Sequence, residues 1–199
     1  MGTRWARGGT ALAVAALFLL GPVPLDDRIE VVAATDEQRS LARWAVGRFE
    51  DNGLVLPPVE IRFHGSKEGC RGRLGRYADG VADLCWRYLD LMAARSVLHE
   101  LAHGWVDANL TPADRQRFLK LRGLGTWNDP DALWDDRGYE HAAEIIAWGI
   151  GDQSDGILAP SIPRNEPADL AVAFRMLTGR SLPAIHQRML WDRETWVEP

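Results

Sequence analysis

The feature that most constrains this chain is the segment His99-Glu100-Leu101-Ala102-His103. Residues four positions apart lie on one face of an α-helix, so the imidazoles of His99 and His103 can reach the same metal ion. Apolar side chains at helical spacing extend the predicted helix on both sides. They are Leu91, Ala94, Leu98, Leu101 and Trp105. This pattern is typical of zinc-assisted hydrolysis, most often of a peptide bond, with Glu100 as the general base that acts on a metal-activated water.

The same segment has a structural explanation that involves no metal. It could be a buried helix in which both histidines are hydrogen-bonded residues of the core. A buried Glu100 carboxylate between two such histidines would then cost free energy that nothing offsets. The motif therefore favours a Zn²⁺ site.

A catalytic zinc ion usually has three protein ligands and one water, so a third ligand is expected from another segment. Glu140 and Glu144 recur at helical spacing in residues 139–148, with small alanines between them that allow close helix packing. We expect Glu140 to bind the metal and Glu144 to accept the free ring N–H of a ligand histidine. His141 is a rival third ligand, about 100° around the helix from Glu140. Alternatively, the two carboxylates simply face solvent.

The two segments together resemble the two-helix signature of gluzincin-type zinc metallopeptidases. The resemblance covers residues 97–148 and implies that His99, His103 and Glu140 are zinc ligands and that Glu100 is the general base. It also implies a zincin-like fold. The residues after His103 depart from the metzincin pattern, because no third histidine follows at the required spacing.

The order of predicted elements gives an α+β domain, mainly helical, with a small β-sheet beside the motif helix. Helices are predicted at 36–51, 91–105, 111–122, 139–150, 168–178 and 183–190, and strands at 59–64 and 81–86. An edge strand of such a sheet can hold an extended peptide by main-chain hydrogen bonds. Four tryptophans near the motifs either line subsites or pack in the core. They are Trp105, Trp127, Trp134 and Trp148.

The N-terminus has the pattern of an export signal. Arg4 and Arg7 precede an unbroken apolar run at residues 11–20. Ten helical residues span about 15 Å, half of a bilayer core, so this segment is at most a short membrane anchor. An apolar helix packed on the body is the alternative. We divide the chain into a leader at residues 1–30 and a metallopeptidase domain at residues 31–199.

Two cysteines agree with export to a secreted or extracytoplasmic location. Cys70 and Cys85 flank a glycine-rich loop, and a disulfide between them is expected outside the cytoplasm. A second metal site is a weaker explanation, because no C-x-x-C motif or histidine pair accompanies them. Two unpaired buried thiols are the remaining alternative.

The charge of the chain helps to define its partners. The net charge is −5, and no Lys/Arg-rich run follows the first residues, which argues against nucleic acid. We expect a peptide or protein substrate. Tyr139 and His186 are candidate donors to the developing oxyanion, and neither has a spacing that favours it. A zinc-stabilised binding or interaction module without turnover is the alternative function, although it would not need Glu100.

Overall fold

A computed structural model describes residues 27–32, 34–86, 88–151 and 160–182. Within these residues the chain has five α-helices and one four-stranded sheet, so the predicted α+β class is confirmed. The elements are β1 (Ile29–Val32), α1 (Asp36–Asp51), β2 (Val59–Phe63), β3 (Gly75–Ala78), β4 (Val81–Leu84), α2 (Leu91–Asn109), α3 (Pro112–Arg122), α4 (Gly138–Ile150) and α5 (Pro167–Thr178). Short 3₁₀ turns occur at Lys67–Cys70 and Trp134–Asp136.

Side-chain caps fix where three helices begin. Thr35 before α1 and Thr111 before α3 each accept a hydrogen bond from the backbone N–H three residues later. In both cases the side chain at that later position bonds back to the threonine N–H, which completes a capping box. Asp90 caps α2 by accepting a hydrogen bond from the Ala93 N–H at 2.9 Å. The local sequence therefore determines these boundaries, and the predicted bounds of α1 and α3 agree with the structure.

The sheet has the order β1-β2-β4-β3, so β3 is an edge strand. β1, β2 and β4 are parallel, and β3 pairs antiparallel with β4. In β2, alternate residues Val59, Ile61 and Phe63 are buried against the helices, as their alternation predicts. Glu60 and Arg62 on the opposite face form an ion pair. The sheet is thus apolar on one face and polar on the other.

Two strands were not predicted. β1 spans the predicted division between residues 30 and 31, so Ile29 and Glu30 belong to the sheet. β3 lies in the segment that the sequence indicated to be a glycine-rich loop, and a turn at Asp79-Gly80 joins it to β4. The second predicted strand begins at Val81 but ends at Leu84. The export signal and the predicted helix at 183–190 lie outside the described residues.

The core lies between the inner face of the sheet and the helices, with α2 and α4 packed together at its centre. Every residue of α4 is buried, since α2 covers one side and α5 the other. Gly149 on α4 allows this approach, because a Cβ there would collide with the Phe174 ring of α5. Among the described helices, none is both long enough and apolar enough to cross a bilayer.

The disulfide between Cys70 and Cys85 is present, with 6.0 Å between the two Cα atoms. It joins the 3₁₀ turn at Lys67–Cys70 to the end of β4, and both residues are buried. The Cys85 N–H also donates to the Leu74 carbonyl at 2.8 Å, so the segment that leads into β3 is held at both ends. A buried disulfide indicates an oxidising compartment.

Removing this cross-link should lower stability. We expect the Cys70→Ala/Cys85→Ala variant to lose roughly 3 kcal/mol of unfolding free energy, because the unfolded chain regains the freedom of the closed loop. The thermal midpoint, followed by circular dichroism, should fall by about 6–12 °C. A reductant should lower the midpoint of the wild-type protein and leave that of the double variant unchanged. Equal wild-type midpoints with and without reductant would contradict this prediction.

Candidate metal centre

Helices α2 and α4 bring three potential ligand atoms together. The Nε2 atoms of His99 and His103, one turn apart on α2, lie 3.0 Å from each other. Oε2 of Glu140 on α4 lies 3.2 Å from His99 Nε2 and 3.1 Å from His103 Nε2. All three side chains are buried. These residues form a group that could hold a metal ion.

The chemistry of the group fits a divalent transition metal. Two ring nitrogens and one carboxylate oxygen lie 3.0–3.2 Å from one another, so a single cation could contact all three. Ligands bound at about 2.0–2.1 Å in a tetrahedral zinc site lie about 3.3 Å apart, close to the separations here. Imidazole and carboxylate donors suit Zn²⁺ and other first-row divalent ions alike.

A buried ionic chain supports His99. Its second ring nitrogen, Nδ1, lies 3.0 Å from Glu144 Oε1, although the N–H is not aligned for a well-formed hydrogen bond. The other oxygen of Glu144 pairs with the guanidinium of Arg95, which precedes His99 by one turn of α2. Glu144 therefore lies beside the ring nitrogen of His99 that faces away from the group of three. Arg95 was not predicted as part of the site, although its i−4 spacing from His99 places it on the same helical face.

An aromatic side chain supports His103. The ring of Tyr139 stacks on the imidazole, with centroids 4.1 Å apart. The Tyr139 hydroxyl donates to Asp107 Oδ2 at 2.8 Å, and Asp107 lies one turn after His103 on α2. The hydroxyl proton is thus committed to Asp107 rather than directed toward a substrate oxygen. His186, the other suggested oxyanion donor, lies outside the described residues.

Glu100 is outside the group of three and lies against β3. A Cβ at Gly75 would collide with its carboxylate, so only glycine permits this contact. Burial raises the pKa of Glu100 to about 7, and the charges of Glu140 and Glu144 act in the same direction. The charges of His99 and Arg73 oppose this shift. The carboxyl group consequently has a pKa near neutrality, which suits a group that both accepts and returns a proton.

A cleft of about 680 Å³ opens onto these residues. Residues 73–78, which include β3, form one wall, and the segment before α4 forms the other with Asn128, Pro130, Trp134 and Arg137. Of the four tryptophans near the motifs, Trp134 lines the cleft, with its ring 6.2 Å from that of His99. Trp105 and Trp148 are buried in the core, and Trp127 packs against Tyr139.

His141, the rival third ligand, lies away from the group. It is fully buried, and its Nε2 lies 2.6 Å from the Asp135 carbonyl oxygen. The solvent-facing alternative for Glu140 and Glu144 is also wrong, since both carboxylates are buried. No family model, curated protein or solved structure shows significant similarity to this chain.

Replacing Glu140, the candidate third ligand, should affect metal binding more than replacing its neighbour His141. We expect Glu140→Ala to weaken Zn²⁺ binding by more than about 100-fold, beyond the effect of removing a group that only supports a ligand. His141→Ala should retain the ion, because its ring contacts a backbone carbonyl instead. Competition with a chromophoric chelator measures both affinities, and circular dichroism checks that each variant is folded. Strong Zn²⁺ retention by Glu140→Ala would contradict the assignment.

Metal affinity should also depend on pH. Burial alone would lower the pKa of His99, but the adjacent carboxylates of Glu140 and Glu144 outweigh it and raise the pKa to about 10. Burial keeps the pKa of His103 below its usual range, so that ring is already neutral. An incoming ion must therefore displace about one proton from His99 between pH 6 and 8, and apparent affinity should rise about tenfold per pH unit.

Calorimetry in buffers of different ionisation enthalpy measures this proton release. About one proton should leave for each Zn²⁺ bound at pH 7, and the His141→Ala variant should release the same number. An affinity that is constant from pH 6 to 8 would show that His99 is not protonated in the metal-free protein.

Proposed function

We propose that this chain is an exported zinc-dependent peptidase. The single observation that carries the proposal is the buried group of His99, His103 and Glu140, with Glu100 beside it, at the base of an open cleft. Three protein ligands would leave one coordination position for water or substrate, as catalytic zinc sites require.

Each residue of the centre has a role in this proposal. His99, His103 and Glu140 would hold the ion, while Glu144 and Arg95 would orient the His99 ring. A bound Zn²⁺ would polarise the scissile carbonyl and acidify the attacking water. Glu100 takes the proton from that water as it attacks, and returns it to the leaving amine nitrogen.

The sheet supports an extended peptide as substrate. β3 pairs with β4 on one side, and its other edge pairs with no strand in the described part of the chain. The β3 residues line the cleft beside Glu100. A peptide added along this edge would gain main-chain hydrogen bonds that do not depend on its sequence. Its scissile bond would then run past the metal centre.

Export is supported by two features. The Cys70–Cys85 disulfide agrees with an oxidising compartment, and the first residues have the charge and apolar pattern of a signal segment. Nucleic acid is disfavoured as a partner, because the chain has a net charge of −5 and no Lys/Arg-rich run follows its first residues.

The Glu100→Gln variant tests the proposal. It should keep its Zn²⁺ content, because Glu100 is not a ligand, and should lose peptide hydrolysis by about 10²–10⁴-fold because no general base remains. Elemental analysis measures the metal, and cleavage of a broad peptide mixture measures activity by mass spectrometry. The matched control is Glu37→Gln on the exposed start of α1, which should keep full activity. Wild-type protein that is loaded with zinc yet inert toward every peptide would favour the binding-module alternative.

A further inference from the structure

The acidic and basic residues that line the cleft differ in how far their charges are already paired. Its three carboxylates belong to the metal centre and its base. Two of them are already engaged, Glu140 with both histidines and Glu144 with Arg95 and His99. The remaining charged residues of the lining are Arg73, Arg76 and Arg137.

The three arginines differ in how far their charge is already neutralised. Arg76 is 3.6 Å from Asp83, its cross-strand neighbour on β4. Arg137 donates to the carbonyl oxygens of Ala132 and Pro130, which orient its guanidinium without neutralising it. Arg73 is exposed, and its guanidinium has no hydrogen bond or ion pair within the described residues. Arg73 is therefore the cation most available to a ligand.

The position of Arg73 is fixed although its side chain is not. It immediately precedes the segment at the cleft wall, and its own N–H donates to the Cys70 carbonyl at 3.1 Å. The disulfide and the Leu74–Cys85 backbone hydrogen bond anchor the same loop. Gly75, two residues further on, lies against the Glu100 carboxylate, so Arg73 is on the cleft wall near Glu100.

On these grounds we propose that the cleft selects peptides that carry a carboxylate next to the scissile bond, and that Arg73 is the residue that binds it. This inference rests on the proposed peptidase function. A guanidinium presents a planar set of donors that matches a carboxylate in a bidentate arrangement. Arg137 on the opposite wall adds positive charge, and a divalent ion in the centre would add more. An acidic side chain and a free C-terminus both supply the required group.

Matched peptides test the inference. One set scans a single Glu, Gln or Lys through an otherwise neutral sequence with blocked ends, and a second set compares a free C-terminal carboxylate with its amide. The wild-type enzyme should hydrolyse the carboxylate peptides about tenfold more efficiently, mainly through KM, as expected for a hydrogen bond to a charged group. The first set then identifies recognition of a side chain, and the second identifies recognition of the terminus.

Two variants of Arg73 assign this preference to the residue. Arg73→Ala should abolish it, and Arg73→Glu should transfer it to the Lys peptides. The control, Arg175→Glu, makes the same change of charge at an exposed site on α5 and should behave as wild type. Equal wild-type rates for Glu and Gln peptides would overturn the inference. An equal loss of activity toward the Glu and Gln peptides in Arg73→Ala would also overturn it, since Arg73 would then act only on Glu100.

A binding measurement separates this inference from the proposed function. Zn²⁺-loaded Glu100→Gln protein should bind the preferred carboxylate peptide with a Kd about tenfold lower than that of its neutral counterpart, as measured by isothermal titration calorimetry. This difference in Kd, together with an absence of hydrolysis by the wild-type protein, would support carboxylate recognition and reject the peptidase. Peptide hydrolysis that does not depend on the charge of the peptide would support the peptidase and reject carboxylate recognition.

Discussion

The contact between α2 and α4 governs the rest of this structure, because it buries more negative charge than the protein alone can neutralise. Glu100, Glu140 and Glu144 are all buried, and Arg95 is the cation that forms an ion pair with one of them. Buried carboxylates without partners are strongly destabilising. In the metal-free protein the protonated ring of His99 offsets one further negative charge. A divalent ion between His99, His103 and Glu140 would replace that proton and, together with Arg95, would balance all three carboxylates. The electrostatics of folding and the requirements of a hydrolytic centre therefore point to the same cation.

The two helices are connected on both sides of this centre, and by different chemistry. On the His99 side, Arg95 and Glu144 form an ionic chain between α2 and α4. On the His103 side, Tyr139 of α4 stacks on the ring and donates a hydrogen bond back to Asp107 of α2. Both contacts restrict rotation of a ligand ring before any ion arrives. A preorganised centre of this kind holds its ligands within the narrow tolerance that metal catalysis needs.

Helical periodicity made the centre largely predictable. The i, i+4 spacing on α2 and the alanines between Glu140 and Glu144 follow from the sequence alone, and so do the capping residues of α1 and α3. Arg95 and Asp107 flank the histidines at the same spacing, so the same rule could have identified them. The role of Tyr139 could not be predicted in this way, because it depends on how α4 is rotated against α2, and only the packing of the whole core decides that rotation.

Strands were less predictable, and for two separate reasons. β1 pairs with β2 in parallel, so its partner lies about thirty residues further along the chain and no local turn indicates the pairing. β3 did have a local signal. Asp79 and Gly80 both have positive φ, and an Asp-Gly pair between short extended segments is typical of a tight hairpin. The glycine-rich composition of the loop obscured that signal, since Gly75 begins a strand whose four residues show no apolar alternation.

The shortness of β3 is itself consistent with its place in the fold. A long apolar strand at the edge of a sheet would invite pairing with other copies of the chain. Four residues, one of them charged, limit that risk while leaving main-chain groups open to the cleft. Because the disulfide anchors the preceding loop, so short a strand still has a fixed position beside Glu100. The short length that limits pairing with other copies of the chain thus also leaves the edge of β3 beside Glu100 uncovered by any other strand of the described residues.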